Sequence, residues 1–180
     1  MSRNIELKVW CDAEDHARII GQLAALGQPI IELRQTDRYY RVREGRLKMR
    51  WTDEQSAELI RYDRPDLAGD RLSTYHLLRL EPDQASFLDE LFVQQFGELV
   101  PVHKVRELSI VRQTRVHLDR VDGLGHFVEL ETVLEEGAEA EDAARGEYEN
   151  VVKLLGLEQL EPVPGSYSDL LLGREHQTCE

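Results

Sequence analysis

Charged residues recur at every second position in one segment after another of this chain, and the positions between them are mostly apolar. A period of two is the mark of a β-strand, whose successive side chains point to opposite faces. Glu6 and Lys8 share a face in this sense, as do Lys48 and Arg50, Lys104 and Arg106, His117 and Asp119, and Glu129 and Glu131. Their neighbours include Val105, Leu118, Val128 and Leu130. A sheet with one charged and one apolar face can close in two ways. Either the apolar face fills the inside and the charges meet water, or helices cover the apolar face and the charges point inward.

The helices favour the second arrangement. Asp12 is placed to N-cap a helix reaching Leu26, with Ile19, Ile20, Leu23 and Leu26 as its apolar stripe and Gly27 at its end. Pro82 suits the first position of a second helix that runs to Phe96 and stops at Gly97. An acidic stretch at 135–142 starts a third, ending near Gly156, where negative charge suits the helix dipole. These stripes need apolar sheet to pack on. Strands are predicted at 4–10, twice between 30 and 51 around Glu44-Gly45-Arg46, then at 57–62, 72–80, 102–111, 115–121 and 127–133. Eight strands are about enough to close a barrel. The expected fold is α+β: an eight-stranded, mostly antiparallel β-barrel, a tunnel with a charged lumen and helices packed outside. Residues 1–172 are expected to form a single domain, and 173–180 a mobile polar tail.

Composition narrows the partners. A net charge of −13 over 180 residues lacks the basic footprint of nucleic-acid binding. No run approaches the roughly 20 apolar residues of a membrane span, and the first residues lack the apolar stretch of a secretory leader. Cys11 and Cys179 cannot build a disulfide framework. A cytoplasmic chain with no nucleic-acid or membrane partner is expected. Only four of the 22 Lys and Arg residues are lysine, and Lys8, Lys48 and Lys104 fall in predicted strands. Burying so many charges is costly without compensation. Lysine and arginine neutralise phosphate oxygens, arginine with a two-pronged hydrogen bond. Carboxylates hold Mg²⁺ or Mn²⁺. The lumen therefore points to a small polyphosphate with metal ions. Its cations should repel one another until an anion arrives, so a triphosphate should raise stability.

These motifs resemble the CYTH superfamily, the triphosphate tunnel metalloenzymes, from about residue 4 to residue 172. The family's opening Glu-x-Glu-x-Lys is similar to Asn4-Ile5-Glu6-Leu7-Lys8, its Gln-x-Asp-x-Tyr to Gln35-Thr36-Asp37-Arg38-Tyr39, its Leu-Lys-x-Arg to Leu47-Lys48-Met49-Arg50, and its Lys-x-Arg to Lys104-Val105-Arg106. His117-Leu118-Asp119 followed by Gly123-Leu124-Gly125-His126-Phe127-Val128-Glu129-Leu130-Glu131 resembles the class IV adenylyl cyclase branch, as does Ser166-Tyr167-Ser168-Asp169-Leu170.

The resemblance implies that Lys8, Lys48, Arg50, Lys104 and Arg106 grip phosphates, and that Glu6, Asp119, Glu129 and Glu131 hold Mg²⁺ or Mn²⁺. Lys8, Arg106 and Asp119 are the positions it puts at the chemistry. It makes a homodimer plausible. Two departures stand out. Asn4 replaces the first glutamate, and the family lysine of the fourth strand is missing, leaving Arg61 or Arg64 for its role. Among the histidines only His117, on the charged face, is a candidate for a site, and a structural hydrogen bond is its favoured role. Gly123 and Gly125 read as a hairpin turn. Tyr39, Tyr40, Trp10 and Trp51 read as packing residues.

Three activities follow. The first is a cyclase converting ATP to 3′,5′-cyclic AMP and pyrophosphate. The second is a hydrolase of inorganic triphosphate, thiamine triphosphate or a nucleoside triphosphate. The third, favoured by Asn4, is a non-catalytic triphosphate or polyphosphate sensor.

Overall fold

A computed structural model describes residues 2–53, 55–63, 68–134 and 137–177. Eight strands close a barrel: β1 (Ser2–Cys11), β2 (Ile31–Tyr40), β3 (Arg46–Thr52), β4 (Ser56–Asp63), β5 (Arg71–Leu80), β6 (Val102–Val111), β7 (Thr114–Val121) and β8 (Gly125–Leu134). Around the ring the order is β1-β5-β4-β3-β2-β6-β7-β8, and every neighbouring pair is antiparallel. The hairpin between β7 and β8 turns on Gly123 and Gly125, with φ of 74° and 101°, a region that suits glycine.

The apolar strand faces point outward, onto helices. Ile5, Leu7 and Val9 of β1 and Val128 and Leu130 of β8 are buried in one cluster with Ile19 and Leu23 of α1 (Ala13–Ala25). Tyr148, Val151 and Leu155 of α3 (Ala138–Leu155) complete that cluster. A second helix, α2 (Pro82–Phe96), brings Ala85, Leu88 and Phe92 against Tyr40, Met49 and Ala57. It is also tied to β2 by Asp89, which accepts from Tyr40 Oη at 2.6 Å.

Local chemistry sets the helix ends. Asp12 accepts from the Asp15 N–H at 2.8 Å to start α1, and the Gln84 side chain accepts from the Glu81 N–H at 3.1 Å to start α2. Gly156 ends α3 in the left-handed conformation at φ 66°. A short 3-10 turn at Leu157–Gln159 follows.

The expected strands and three helices are all present. The sequence reading missed one element, α4 (Tyr167–Gln177). Ser166 and Asp169 cap it reciprocally: Ser166 Oγ donates to Asp169 Oδ2 at 2.8 Å, and the Asp169 N–H donates to Ser166 Oγ at 3.2 Å. Residues 173–177 of the expected tail are thus helical, and 178–180 lie outside the described residues. Among the described residues no helix is long and apolar enough to cross a membrane.

Candidate active site

With the outer faces covered, the charged positions have only the lumen to face. They line a cavity of about 390 Å³, within the usual range of small-molecule sites. Lys8, Lys48, Arg50, Lys104, Arg106, Glu6, Glu129 and Glu131 all reach it. Ser166 and Tyr167, at the start of α4, also contribute to its wall.

The cations are held in place by two buried carboxylates. Asp37 on β2 is 1% exposed. It accepts from Lys48 Nζ at 2.7 Å and from Arg50 Nε and a terminal nitrogen at 2.7 Å each. On the opposite side of β6, Asp119 of β7 accepts from Arg106 at 2.7 and 2.6 Å and from Tyr167 Oη at 3.0 Å. Lys104 bridges the two, with Nζ 3.4 Å from Asp119 and 4.0 Å from Asp37. Lys8 donates to the Gly165 carbonyl at 2.9 Å and lies 3.3 Å from Glu129 and 4.1 Å from the centre of the Tyr167 ring.

Burial and charge then oppose each other at each group. Burial resists the Asp37 charge, but Arg50 and Lys48 hold its carboxyl well below the usual carboxylate range. Burial, followed by Arg50, pulls the Lys48 ammonium down to about 7, with Asp37 acting the other way. Lys104 is lowered by burial and then by Arg106. Asp37 and Asp119 offset part of the expected mutual repulsion of the cations, but both ammoniums remain lowered, with Arg50 and Arg106 the next causes after burial.

A second group lies beside this set. One ligand atom each from His117, Glu129 and Glu131 fall within 4.8 Å of one another. His117 Nδ1 is 4.0 Å from Glu129 Oε2 and 3.7 Å from Glu131 Oε1. It is buried and has no hydrogen-bond partner among the described residues. Burial, and then Arg106, bring the imidazole down to about 4, so at neutral pH the ring is uncharged and keeps a nitrogen lone pair for ligation. Two carboxylates and a neutral imidazole in this arrangement fit a divalent cation. Arg106 joins the two groups, donating to Glu129 at 2.8 Å as well as to Asp119. Arg115, another lumen residue, lies 3.3 Å from Glu131.

A CYTH domain model matches residues 2–167. This chain belongs to the CYTH domain family. A Methanocaldococcus jannaschii protein named as a putative adenylate cyclase is 26% identical over 174 residues, which cover 92% of this chain and 98% of that one. The PH1012 protein of Pyrococcus horikoshii shares the fold at a TM-score of 0.76 and 21% identity, over 93% of this chain and 98% of that one. A Hippeastrum protein shares it at a TM-score of 0.68 and 16% identity, covering 96% of each chain; its structure is described as that of a putative adenylyl cyclase with a dominant triphosphatase activity.

Around this CYTH framework the remaining candidate residues are placed differently from one another. Arg61 is exposed on the outside of the barrel: Glu58, Ile60 and Tyr62 line the lumen, so alternation turns Arg61 away. Arg64 lies outside the described residues. Asp119 has both oxygens engaged by Arg106, which it shares with Glu129, and is not one of the His117–Glu129–Glu131 group. His117 Nδ1 has no hydrogen bond among the described residues and lies in that group. Glu6 lines the same lumen, directly opposite Glu131 in the β1–β8 register. Asn4 also lines it, 2% exposed, with its Oδ1 lacking a hydrogen-bond partner among the described residues. Asp37 is the residue that sequence reasoning left without a role.

Proposed function

We propose that this CYTH domain is a metal-dependent enzyme acting on a triphosphate, and that it converts ATP to 3′,5′-cyclic AMP and pyrophosphate. The observation that carries the proposal is the pairing, in one cavity, of five cationic side chains with a cluster of two carboxylates and a neutral imidazole. Lys8, Lys48, Arg50, Lys104 and Arg106 bind the phosphates. His117, Glu129 and Glu131 hold the metal, with Glu6 on the adjoining strand. A bound Mg²⁺ or Mn²⁺ would neutralise phosphate charge and acidify a coordinated oxygen.

In the reaction the ribose 3′-hydroxyl gives up its proton to solvent water, its oxygen forms a bond to the α-phosphorus, the bond between that phosphorus and the bridging oxygen breaks, and negative charge builds on the departing pyrophosphate. Lysines and arginines already fixed by Asp37 and Asp119 meet that charge without reorienting, which is where preorganised electrostatics contribute most. Arg106 stands between the phosphate-binding set and the metal ligands, so it suits the bridging phosphate.

Hydrolysis of a triphosphate is the second reading, favoured by the activity attributed to the Hippeastrum relative. The same side chains would serve, with water in place of the 3′-hydroxyl. The deciding experiment offers ATP, thiamine triphosphate and inorganic triphosphate, each with Mg²⁺ and Mn²⁺, and identifies the products. Cyclic AMP with pyrophosphate supports the cyclase, and orthophosphate supports the hydrolase. Tight binding without turnover under every condition overturns both in favour of a sensor.

A further inference from the structure

On the outer wall of the barrel, under the first turn of α1, two polar atoms approach each other without bonding. His16 of α1 and Glu107 of β6 bring Nε2 and Oε2 to 3.3 Å. Both atoms are shut off from solvent, and neither has a hydrogen-bond partner among the described residues. The His16 side chain is 8% exposed and aims its nitrogen into this gap. His126 of β8 stands beside it, with the two ring centres 4.9 Å apart and the planes tilted by 48°. Alternation from Arg106, and from Glu129 and Glu131, turns Glu107 and His126 outward, away from the lumen. The three residues are far apart in the chain, and only the closed barrel with α1 packed on it brings them together.

The charge at this spot is unbalanced. Glu107 stands opposite Glu32 across the β2–β6 ladder, and Arg120 of β7 pairs with Glu32 at 3.5 Å. Among the described residues no lysine or arginine lies within ion-pair distance of Glu107. His16 does not supply the missing charge either. Burial, followed by His126, brings its imidazole down to about 4, so the ring is neutral at pH 7. A neutral imidazole offers a lone pair instead. A buried acceptor left unpaired costs free energy that a bound cation recovers.

Nitrogen and oxygen ligands bound at about 2.0–2.1 Å to a tetrahedral ion stand about 3.3 Å from each other. That is the separation of His16 Nε2 and Glu107 Oε2. We propose that His16, Glu107 and His126 form a metal site on the outer wall for a divalent transition metal such as Zn²⁺, with water as the fourth ligand. His126 is half-buried, and a turn of its ring about the soft Cβ–Cγ torsion brings a nitrogen to the ion. Two imidazoles select metals of this class, whereas the carboxylate-rich group in the lumen suits Mg²⁺ or Mn²⁺. The bound ion ties the first turn of α1 to β6 and β8. It lies on the far side of the wall from the cavity, so the site stands whatever the lumen binds.

The test is a Zn²⁺ titration of the whole protein in competition with a chromophoric chelator. The lumen group also accepts Zn²⁺, so the titration is run on wild type, on the lumen variant His117→Gln/Glu131→Gln, and on each of these with His16→Gln added. Wild type should fill both sites, and the lumen variant only the outer one. Losing a group that merely supports a metal ligand typically costs about 10–100-fold in affinity, so losing the ligand His16 should weaken the outer site about a hundredfold or more. Glu107→Gln keeps the shape of the side chain and should act alike; it carries the test if His16→Gln does not fold. Zn²⁺ should also raise the melting temperature of the lumen variant, and Mg²⁺ should not. Zn²⁺ uptake that survives both His16→Gln and Glu107→Gln, or that vanishes entirely in the lumen variant, overturns the site and leaves a water molecule to span the pair. Failure of wild type to take up Zn²⁺ overturns it as well.

Discussion

Replacing Asp37 by asparagine tests the charge balance of the lumen directly. The carboxylate is 1% exposed and is the shared partner of Lys48, Arg50 and, at 4.0 Å, Lys104. Removing one member of a buried ion pair typically costs about 3–5 kcal/mol, because the other is left buried and uncompensated. One feature of the site limits that cost. The Lys48 ammonium is already brought down to about 7, so without Asp37 it can shed its proton, and the penalty should fall near the low end, about 3 kcal/mol. For a chain of this size 1 kcal/mol moves the melting temperature by roughly 2–4 °C, so Asp37→Asn should melt ~6–12 °C below wild type. Inorganic triphosphate at 100 times its Kd stabilises by about 2.7 kcal/mol through linkage. It should stabilise the mutant more than wild type at equal concentration, because Asp37 no longer competes for the cations. Scanning calorimetry of both proteins with and without the anion reads both effects. A mutant that melts with wild type, or a gap that widens when triphosphate is added, would refute the reasoning.

Other substitutions probe the remaining groups. Glu131→Gln should weaken metal binding and lower turnover by orders of magnitude while the fold survives, and Glu129→Gln should act in the same direction; initial rates against Mg²⁺ or Mn²⁺ concentration check both, and wild-type rates and metal dependence in both would remove these carboxylates from the metal site. Asn4→Glu should strengthen metal binding by placing a charged oxygen in the lumen, measured by metal titration with a fixed triphosphate analogue; equal or weaker affinity would show that Asn4 does not face the metal. Lys48 is depressed to about 7 when free and should be raised by a bound anion, so at pH 8 triphosphate binding should take up a proton and affinity should fall as pH rises above 7. Calorimetry in buffers of different ionisation enthalpy detects that uptake. Its absence in wild type, or its persistence in Lys48→Arg, would assign the proton elsewhere.

The barrel was legible because two periodicities had to be satisfied together. Alternation alone left the charged faces free to point either way; the apolar stripes of the helices, such as that of Ile19 and Leu23, required the apolar faces outside. What escaped was whatever depended on register. Asp37 carries the right chemistry on the right face, but its role follows from standing opposite Arg50 across the β2–β3 ladder, and no single strand reveals its partner. Arg115 was overlooked although it shares the inward face of His117 and Asp119. For α4 a signal was present, since Ser166-x-x-Asp169 is the spacing of a capping box, but its run of leucines lacks the striped pattern that marked the other helices.

Asp119 shows why residue type is a weaker guide than coordination. Motif resemblance grouped it with Glu129 and Glu131 as one set of acidic residues. They differ in burial and in what stands beside them. Asp119 receives two hydrogen bonds from Arg106 and one from Tyr167, and is fully buried. To ligate a metal it would have to release Arg106 and leave a buried guanidinium short of a partner. Glu129 and Glu131 face the cavity beside an imidazole nitrogen with no hydrogen bond of its own. A metal there gains an imidazole nitrogen that no other group holds, in exchange for loosening the contacts of Glu129 with Arg106 and Lys8 and of Glu131 with Arg115. Asp37 follows the logic of Asp119, on the other side of Lys104. The lumen thus holds two carboxylates, Asp37 and Asp119, at most 1% exposed and enclosed by the cations they fix, and a pair on β8 that lies beside an imidazole nitrogen with no hydrogen bond. On this argument Asp119→Asn disturbs the placement of Arg106 and Lys104 and lowers phosphate affinity first, and reaches the metal affinity of the β8 pair only through the contact of Arg106 with Glu129.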